Sequence, residues 1–270
     1  MVDRPDRMTG RVLIIAGSDS GGGAGIQADI KTITALRGFA ATALTALTAQ
    51  NTLGVHGVHP VPLDFIAQQI EVVLSDIGAD VIKTGMLGTS GVIETVCSSL
   101  ERYGAGIPVV VDPVMVAKGG HALLADDAVA TLRRRLLPKA FVITPNLPEA
   151  EALVGMRITS VTEMRVAAGA LLALGVPAVL LKGGHLPGDD LTDLLATADG
   201  IEAFTAARIV TRHTHGTGCT TASAVACGLA QGLGLRDAVV RARAYVRAAI
   251  AGAPGFGSGH GPLDHGVAAP

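Results

Sequence analysis

Short apolar runs alternate with longer helical patterns along most of this 270-residue chain, and this alternation restricts the possible folds more than any other feature. The runs predicted as buried strands are 12–16, 40–47, 79–83, 109–112, 141–144 and 178–182. The helices predicted between them are 25–36, 63–77, 89–103, 126–137, 148–154 and 162–174. Because repeated β-α-β order joins parallel strands through crossover helices, the sequence predicts a three-layer α/β fold with a mainly parallel sheet.

The pattern changes after residue 182. Short runs at 193–196 and 202–204, separated by Asp199 and Gly200, predict a hairpin that extends one edge of the sheet. Two further helices, at 217–233 and 236–251, are predicted to close the fold. Because no linker-like tract divides the chain, we expect one domain over residues 1–270, with a flexible N-terminus at 1–10 and a Gly/Pro-rich tail at 252–270.

Composition excludes several classes of function. With 49% hydrophobic and 16% charged residues, the chain is too apolar to be disordered. A formal net charge of −2 and only 3% aromatic residues provide neither a basic surface nor stacking platforms, so we expect no nucleic-acid partner. The uncharged stretches 38–63 and 213–235 carry too many polar residues to span a bilayer, so we expect no membrane partner either.

The N-terminal residues and the cysteines indicate a cytoplasmic protein. Residues 1–11 are mixed in charge, and the apolar run at 12–16 is too short for the core of a signal peptide. The three cysteines, Cys97, Cys219 and Cys227, lack CxxC spacing and predict neither a disulfide framework nor a zinc site. Cys97 and Cys227 fall on apolar helix faces, which predicts that both are core residues.

A glycine-rich loop, GSDSGGGAGIQAD at 17–29, follows the first predicted strand and leads into a helix. It matches neither the dinucleotide-binding G-x-G-x-x-G pattern nor the P-loop pattern. Its glycines would let a ligand approach backbone N–H groups, and Asp29 could accept a hydrogen bond from a bound hydroxyl or amine. The alternative is a plain tight turn between strand and helix.

A second glycine motif, HGTGCTT at 215–221, precedes an Ala-rich helix. The N–H groups of Gly216, Gly218 and Cys219 would converge at the positive end of the helix dipole, which predicts an anion-binding site. The dipole would also lower the pKa of Cys219, making this thiol a candidate base or nucleophile. The alternative is that small residues simply pack at the start of this helix.

Polar side chains follow three of the predicted strands, at the sheet edge where ligands of parallel sheets bind. Asp112 ends one strand, Asn146 and Glu149 follow the next, and Lys182 ends the last before two glycines. The carboxylates suit an Mg²⁺ shared with phosphates, and Lys182 suits a phosphate. Asn146 and Glu149 alternatively form a helix capping box. His213 and His215 have no third ligand nearby, so we expect hydrogen-bonding roles for them. The whole set favours phosphoryl transfer.

Seven segments, in this order, resemble one enzyme family, and the similarity runs from about residue 11 to the GHGPLDH segment at 259–265. They are GSDSGGGAGIQADIKT (17–32), ALTAQNT (46–52), KTGML (83–87), VVVDPVMVAKGG (109–120), ITPNLPEAEAL (143–153), LKGGH (181–185) and THGTGCT (214–220). The chain resembles the hydroxymethylpyrimidine/phosphomethylpyrimidine kinases of thiamine biosynthesis, which belong to the ribokinase-like superfamily. The resemblance implies an ATP- and Mg²⁺-dependent enzyme that phosphorylates 4-amino-5-hydroxymethyl-2-methylpyrimidine and then its monophosphate, giving the diphosphate.

The resemblance also implies roles for individual residues. It implies that Gln50 recognises the pyrimidine edge and that the substrate pocket is lined by Gly17, Asp29, Met86 and Val114. The residues implied in catalysis are Lys182, Gly216, Gly218 and Cys219, where Cys219 either acts as the base or positions the hydroxymethyl group. The implied ATP contacts are Asn146, Lys182, Thr217 and Gly218, and the implied Mg²⁺ ligands are Asp112 and Glu149. A lid at 116–122 and a homodimer are implied as well.

Other functions remain open at the level of sequence. The nearest alternative is a pyridoxal kinase of the same superfamily. A second is a non-catalytic pyrimidine-binding module, which the presence of Asp112, Glu149, Lys182 and the GTGC segment disfavours. A thiol acyltransferase built on Cys219 is weaker still, because the sequence places no His-Asp pair to activate the thiol.

Overall fold

The computed structural model describes residues 9–115 and 123–268. Its strands are β1 (Arg11–Ala16), β2 (Phe39–Leu44), β3 (Ala46–Asn51), β4 (Gly54–Pro60), β5 (Val81–Thr84), β6 (Val109–Val111), β7 (Val142–Ile143), β8 (Ala178–Leu181), β9 (Asp190–Thr197) and β10 (Gly200–Ala207). Eight of them form one sheet in the order β10-β9-β8-β7-β6-β5-β1-β2. The pairs from β2 to β8 are parallel, and the pairs that β9 makes with β8 and β10 are antiparallel. The predicted parallel sheet with an edge hairpin is therefore confirmed.

Helices cover both faces of this sheet, as predicted. They are α1 (Gly25–Ala35), α2 (Leu63–Asp76), α3 (Ser90–Tyr103), α4 (Asp126–Thr131), α5 (Leu147–Val154), α6 (Val161–Leu172), α7 (Thr217–Ala230) and α8 (Leu235–Ala251). Successive side chains of a strand point to opposite faces, so β1 contributes to two cores. Its Leu13 and Ile15 join the core formed with α2 to α6, whereas Val12 and Ile14 join the core formed with α1, α7 and α8. The α/β fold with three layers is thereby established.

The predicted strand 40–47 is two strands that belong to different sheets. After β2, the Thr45 hydroxyl donates a hydrogen bond to the carbonyl of Met86 at 2.7 Å, and the chain then leaves the main sheet. Strands β3 and β4 form a separate antiparallel hairpin. The apolar run continues through the break, so the sequence alone did not reveal it. The consequence for the site is that Gln50 lies on this hairpin rather than on the main sheet.

The predicted helix 126–137 also has a different structure. After α4, the backbone forms one π-helical turn at Leu132–Leu136 and a short 3₁₀ helix at Leu137–Lys139. Pro138 cannot donate a backbone hydrogen bond, which favours an end to regular helix at this point. The predicted lid at 116–122 lies outside the described residues, as do residues 1–8 of the predicted N-terminus and residues 269–270 of the tail. In the part of the chain that is described, no helix combines the length and the apolar character needed to cross a bilayer.

The predicted low-complexity tail packs against the rest of the fold. The amide of His260 donates to the carbonyl of Thr52 at 2.9 Å, and the amide of His215 donates to the carbonyl of Gly261 at 3.2 Å. The buried hydroxyl of Tyr245 donates to the carbonyl of His265 at 2.8 Å. The tail thus connects the β3–β4 hairpin to the loop that precedes α7.

Candidate active site

One cavity of about 610 Å³ lies at the carboxyl ends of the parallel strands, a size typical of small-molecule sites. All but one of the predicted site residues line it, namely Gly17, Gln50, Met86, Asp112, Val114, Asn146, Glu149, Lys182, Gly216, Thr217, Gly218 and Cys219. The exception is Asp29. The fold therefore gathers at one place residues from all seven of the quoted sequence segments, as expected for the carboxyl edge of a parallel sheet.

Asp29 was expected to line the pocket, but it is an internal residue. Its carboxylate is fully buried and accepts hydrogen bonds from Lys83 Nζ at 2.8 and 3.0 Å and from Ser223 Oγ at 2.6 Å. Burial lowers the pKa of Lys83, but the adjacent Asp29 charge outweighs it and raises that pKa above its usual value. Asp29 thus anchors a buried ion pair and is not available to a ligand.

Lys83 is not among the predicted site residues, although its position in the sequence is informative. Lys83 ends a predicted buried strand at the edge where ligands bind, the same placement that drew attention to Lys182. The structure places Lys83 among the residues lining the cavity, with a fully buried side chain, close enough to Cys219 for its charge to favour the thiolate.

The N-terminus of α7 forms the second predicted glycine motif. Gly216 precedes the helix with a φ of 82°, a conformation that favours glycine. A Cβ at Gly216 would also collide with the carbonyl of Gly23, so the backbones of the two glycine loops are in direct contact. The N–H groups of Gly218 and Cys219 lie in the first helical turn, where N–H groups have no intrahelical acceptor. This arrangement suits an anion such as a phosphoryl group.

The expectation of a low pKa for Cys219 is wrong. Burial raises the pKa of this thiol to about 12 and outweighs the opposing effects of Lys83 and of a hydrogen bond from the Gly25 amide. The thiol is therefore protonated at neutral pH. Burial also raises the pKa values of Cys97 and Cys227 to about 11, and both residues are buried as predicted.

Asp112, Glu149 and Lys182 form a charged cluster in the cavity. Asp112 Oδ1 accepts hydrogen bonds from Lys182 Nζ at 3.2 Å and from Thr144 Oγ1 at 3.0 Å. Asn146 and Glu149 form the alternative capping box: the backbone N–H of Asn146 donates to Glu149 Oε2 at 2.8 Å, and the backbone N–H of Glu149 donates to Asn146 Oδ1 at 3.0 Å. Burial, reinforced by the charge of Asp112, raises the pKa of Glu149 to about 7, against the effect of Lys182.

This cluster fits a divalent cation that is shared with phosphates. Two buried carboxylates face a single ammonium group, so a cation would relieve the cost of charging Glu149. Among residues 9–115 and 123–268, no group of three or more His, Cys, Asp and Glu side chains could hold a metal ion. Phosphate or water oxygens would therefore have to complete the coordination of Mg²⁺, which readily keeps such ligands.

Asp19, His215 and three backbone amides of the first glycine loop form a hydrogen-bonded cluster at the cavity that the sequence did not predict. Asp19 accepts hydrogen bonds from the amides of Gly21 at 2.8 Å, Gly23 at 3.1 Å and Ala24 at 2.8 Å. Its Oδ2 also lies 2.8 Å from His215 Nε2, which gives His215 the expected hydrogen-bonding role. Burial raises the pKa of Asp19, but these hydrogen bonds and the effect of His215 outweigh it and hold that pKa below its usual value. The signal in the sequence was an aspartate placed two residues before a run of glycines.

Known proteins resemble this chain over nearly its whole length. A bifunctional thiamine biosynthesis protein, ThiED, from Geobacter sulfurreducens is 53% identical over 96% of this chain, and the chain spans about half the length of that protein, 53%. The hydroxymethylpyrimidine/phosphomethylpyrimidine kinase of Bacillus subtilis is 50% identical over 94% of each chain. A solved structure of Staphylococcus aureus pyridoxal kinase with AMP-PCP and pyridoxal is 38% identical, with a TM-score of 0.88 over 96% of this chain and 94% of that one.

The family model for phosphomethylpyrimidine kinase matches residues 19–264, a range that includes all but the first two residues of the first glycine motif, the whole second motif and the charged cluster. This range and the identities above agree with the resemblance found in the sequence motifs. The chain belongs to the phosphomethylpyrimidine kinase family.

Proposed function

We propose that this protein is an ATP- and Mg²⁺-dependent kinase of thiamine biosynthesis. It phosphorylates 4-amino-5-hydroxymethyl-2-methylpyrimidine and then the resulting monophosphate, giving the diphosphate. The observation that carries the proposal is that one cavity joins an amide side chain suited to a pyrimidine, Gln50, with the N-terminus of α7 and with Lys182. Phosphoryl transfer requires this combination of positioning and electrostatic stabilisation.

Within this proposal, the residues of the cavity divide into three groups, which bind the pyrimidine, ATP with its transferring phosphoryl group, and Mg²⁺. Gly17, Gln50, Met86 and Val114 bind the pyrimidine. Asn146, Lys182, Thr217 and Gly218 contact ATP, and the backbone from Gly216 to Cys219 stabilises the transferring phosphoryl group. Mg²⁺ held by Asp112 and Glu149 would neutralise charge on the phosphates when bound. Because the thiol of Cys219 is protonated, it cannot accept the proton of the substrate hydroxyl, and Cys219 instead positions the hydroxymethyl group.

We further propose that the protein is a cytoplasmic homodimer. The use of ATP and the three free cysteines suit a reducing compartment. The β3–β4 hairpin exposes apolar side chains that a second copy of the chain would cover, with Leu47 at 45%, Leu53 at 66% and Val58 at 47% exposure. Light scattering on the purified protein should give twice the chain mass of 27.2 kDa. A mass of a single chain at micromolar concentration would reject the dimer.

A mass-resolved assay with ATP and Mg²⁺ tests the function. The pyrimidine alcohol and pyridoxal are supplied in separate reactions, and mono- and diphosphates are followed over time. Monophosphate followed by diphosphate from the pyrimidine is expected. Product from pyridoxal alone would instead favour the activity of the Staphylococcus aureus structural relative. Absence of product in both reactions would favour a binding module.

A further inference from the structure

The side-chain amide of Gln50 is held at both ends by neighbouring side chains. Its Oε1 lies 3.2 Å from Thr48 Oγ1, and its Nε2 lies 3.3 Å from His215 Nε2. A turn of 180° about the terminal bond exchanges the amide oxygen and nitrogen at almost no change in shape. The positions of the neighbouring protons therefore decide which end of the amide faces which neighbour.

Thr48 is the first of these neighbours. A hydroxyl carries one proton, and the Thr48 hydroxyl donates it to the carbonyl oxygen of Ser18 at 2.9 Å. The carbonyl can only accept, so this direction is fixed. Thr48 Oγ1 then has no proton left for the amide oxygen of Gln50, and it can only accept. The amide nitrogen is therefore the end of Gln50 that belongs beside Thr48.

His215 leads independently to the same orientation. Its Nε2 lies 2.8 Å from Asp19 Oδ2, and Asp19 is ionised because three backbone N–H groups and His215 stabilise its charge. A carboxylate only accepts hydrogen bonds, so Nε2 of His215 carries a proton and donates it. If the amide nitrogen of Gln50 lay beside His215 Nε2, two N–H donors would face each other with no acceptor between them. The amide oxygen therefore belongs beside His215.

We infer that Thr48 and His215 are positioning residues that lock the Gln50 amide in one orientation, with nitrogen toward Thr48 and oxygen toward His215. Each end of the amide then keeps one free hydrogen-bonding position for a ligand in the cavity. The inference rests on the proposed function for its ligand, and it deepens that function by assigning the origin of its specificity.

The orientation selects one polarity of ligand edge. A 4-aminopyrimidine presents a ring nitrogen acceptor beside an amine donor, and a locked amide matches this order with its N–H and its oxygen. The 4-oxo analogue, 5-hydroxymethyl-2-methylpyrimidin-4-one, presents a ring N–H donor beside an oxygen acceptor, which is the reverse order. A freely turning amide would bind both compounds. A locked amide rejects the oxo compound, because its N–H would face the ring N–H and its oxygen would face the ring carbonyl, where no water can satisfy these groups.

The orientation itself is tested in the protein without substrate. In ¹⁵N-edited nuclear Overhauser spectra, the Gln50 side-chain NH₂ protons should show a cross-peak to the Thr48 side chain. A cross-peak to the His215 ring in place of the one to Thr48 would overturn the inference. This readout does not depend on which reaction the enzyme catalyses, so it separates failure of the inference from failure of the proposed function.

The consequence for specificity is tested by calorimetric binding of the amino and oxo compounds, with turnover measured separately. The unaltered protein should bind the amino compound at least about 100-fold more tightly. Thr48→Val keeps the β-branched shape but removes the acceptor, and it should reduce this ratio about tenfold or more while changing kcat little. Ser20→Ala is the matched control, because Ser20 Oγ bonds the backbone of Gln50, at 2.8 and 2.9 Å, and not its side-chain amide, so this substitution should leave the ratio unchanged.

A second pair of variants tests His215. His215→Gln keeps an N–H donor and should retain most of the preference for the amino compound, whereas His215→Leu should lose it. An unchanged ratio in both Thr48→Val and His215→Leu would overturn the inference, as would equal binding of both compounds by the unaltered protein. Tight, selective binding of the amino compound without phosphorylation would reject the proposed function and leave the inference standing. Binding of neither compound would reject the proposed function and its assigned specificity, while the spectra without substrate would still decide the orientation of the Gln50 amide.

Discussion

Individual residues show how burial decides the chemistry of this cavity. Asp19 and Asp29 lie ten residues apart in one segment, and their side chains have opposite surroundings. Asp19 lies at the cavity within a ring of N–H donors, whereas Asp29 points inward to Lys83. The sequence identified the segment but assigned the ligand contact to Asp29, because which carboxylate faces the cavity depends on how α1 packs on the sheet.

Cys219 is half-buried at the wall of the cavity, and the desolvation of its thiol predicts low reactivity at neutral pH. Because the thiol has a raised pKa of about 12, only a very small fraction is thiolate at pH 8. Iodoacetamide should modify Cys219 at least about 100-fold more slowly than a free cysteine, as measured by mass spectrometry of the peptide. The same peptide in urea-unfolded protein is the control and should react at the ordinary rate. Rapid modification in the folded protein would mean that the helix dipole and Lys83 overcome desolvation.

Glu149 predicts a pH-dependent stability that Mg²⁺ should remove. Its pKa is raised from 4.5 to about 7 in the folded protein, so the folded state holds more protons between these values. Stability without Mg²⁺ should therefore fall as pH rises from 5 to 8, by at most about 3 kcal/mol, or about 5 °C in Tm. If Mg²⁺ binds Asp112 and Glu149 as proposed, it binds the folded state, and added Mg²⁺ should restore Tm at pH 8.

Differential scanning calorimetry with and without Mg²⁺ provides this measurement. Glu149→Gln removes the titrating group and should give a flatter dependence of Tm on pH. The same slope in Glu149→Gln as in the unaltered protein would assign the effect to another group.

At the scale of elements, the start of α7 is the point where sequence and structure agree most closely. The motif 215–221 predicted a helix N-terminus suited to an anion, and the structure begins α7 at Thr217 after a left-handed Gly216. The spacing of glycines directly before an Ala-rich helical segment was sufficient for this prediction. The β3–β4 hairpin was not predicted, because its pairing depends on where the chain leaves the main sheet at Thr45 and not on the alternation of residues.

Gly216→Ala should disrupt this junction. The left-handed φ costs about 1 kcal/mol or more for alanine, and the added Cβ would also strike the carbonyl of Gly23. We expect a loss of about 2–4 kcal/mol in the free energy of unfolding and a loss of ADP binding. Urea denaturation and calorimetric titration measure the two effects.

Gly232→Ala is the matched control for this substitution. Gly232 has a similar φ of 86°, but an added Cβ would meet nothing within 4 Å. It should show only the cost of the backbone conformation, with ADP binding retained. Equal destabilisation by both substitutions would mean that the contact with Gly23 contributes nothing.

At the scale of the whole molecule, the buried Lys83–Asp29 pair connects three elements. Lys83 lies on β5, Asp29 on α1, and Ser223, which also bonds Asp29, on α7. The predicted architecture of parallel strands and covering helices was correct, but no pattern of hydrophobicity identifies which charged residues meet inside it. The partners are 54 residues apart in sequence for Lys83 and 194 for Ser223.

Lys83→Met should destabilise the protein strongly, by about 3–5 kcal/mol, because it leaves the Asp29 charge buried without its partner. The double variant Lys83→Met/Asp29→Leu should recover part of this loss, since no unpaired charge remains. Arg11→Met, which breaks the exposed Arg11–Asp80 pair, is the control and should have a much smaller effect. Urea denaturation at pH 7 compares the three variants. A double variant no more stable than Lys83→Met would show that packing, and not charge, explains the loss.

The contacts between the tail, the hairpin and the Asp19 cluster have a consequence for synthesis of the protein. Asp19 meets His215 across 196 residues, and the amide of Gly259 meets the hydroxyl of Thr52 across 207. A ribosome adds residues from the N-terminus at about 5–20 per second, so the first glycine loop waits for tens of seconds without its partner. The nascent chain can assemble much of its sheet during that time, but the Asp19–His215 contact can form only once residue 215 has been added, and the contact of Thr52 with the tail only once residue 259 has been added.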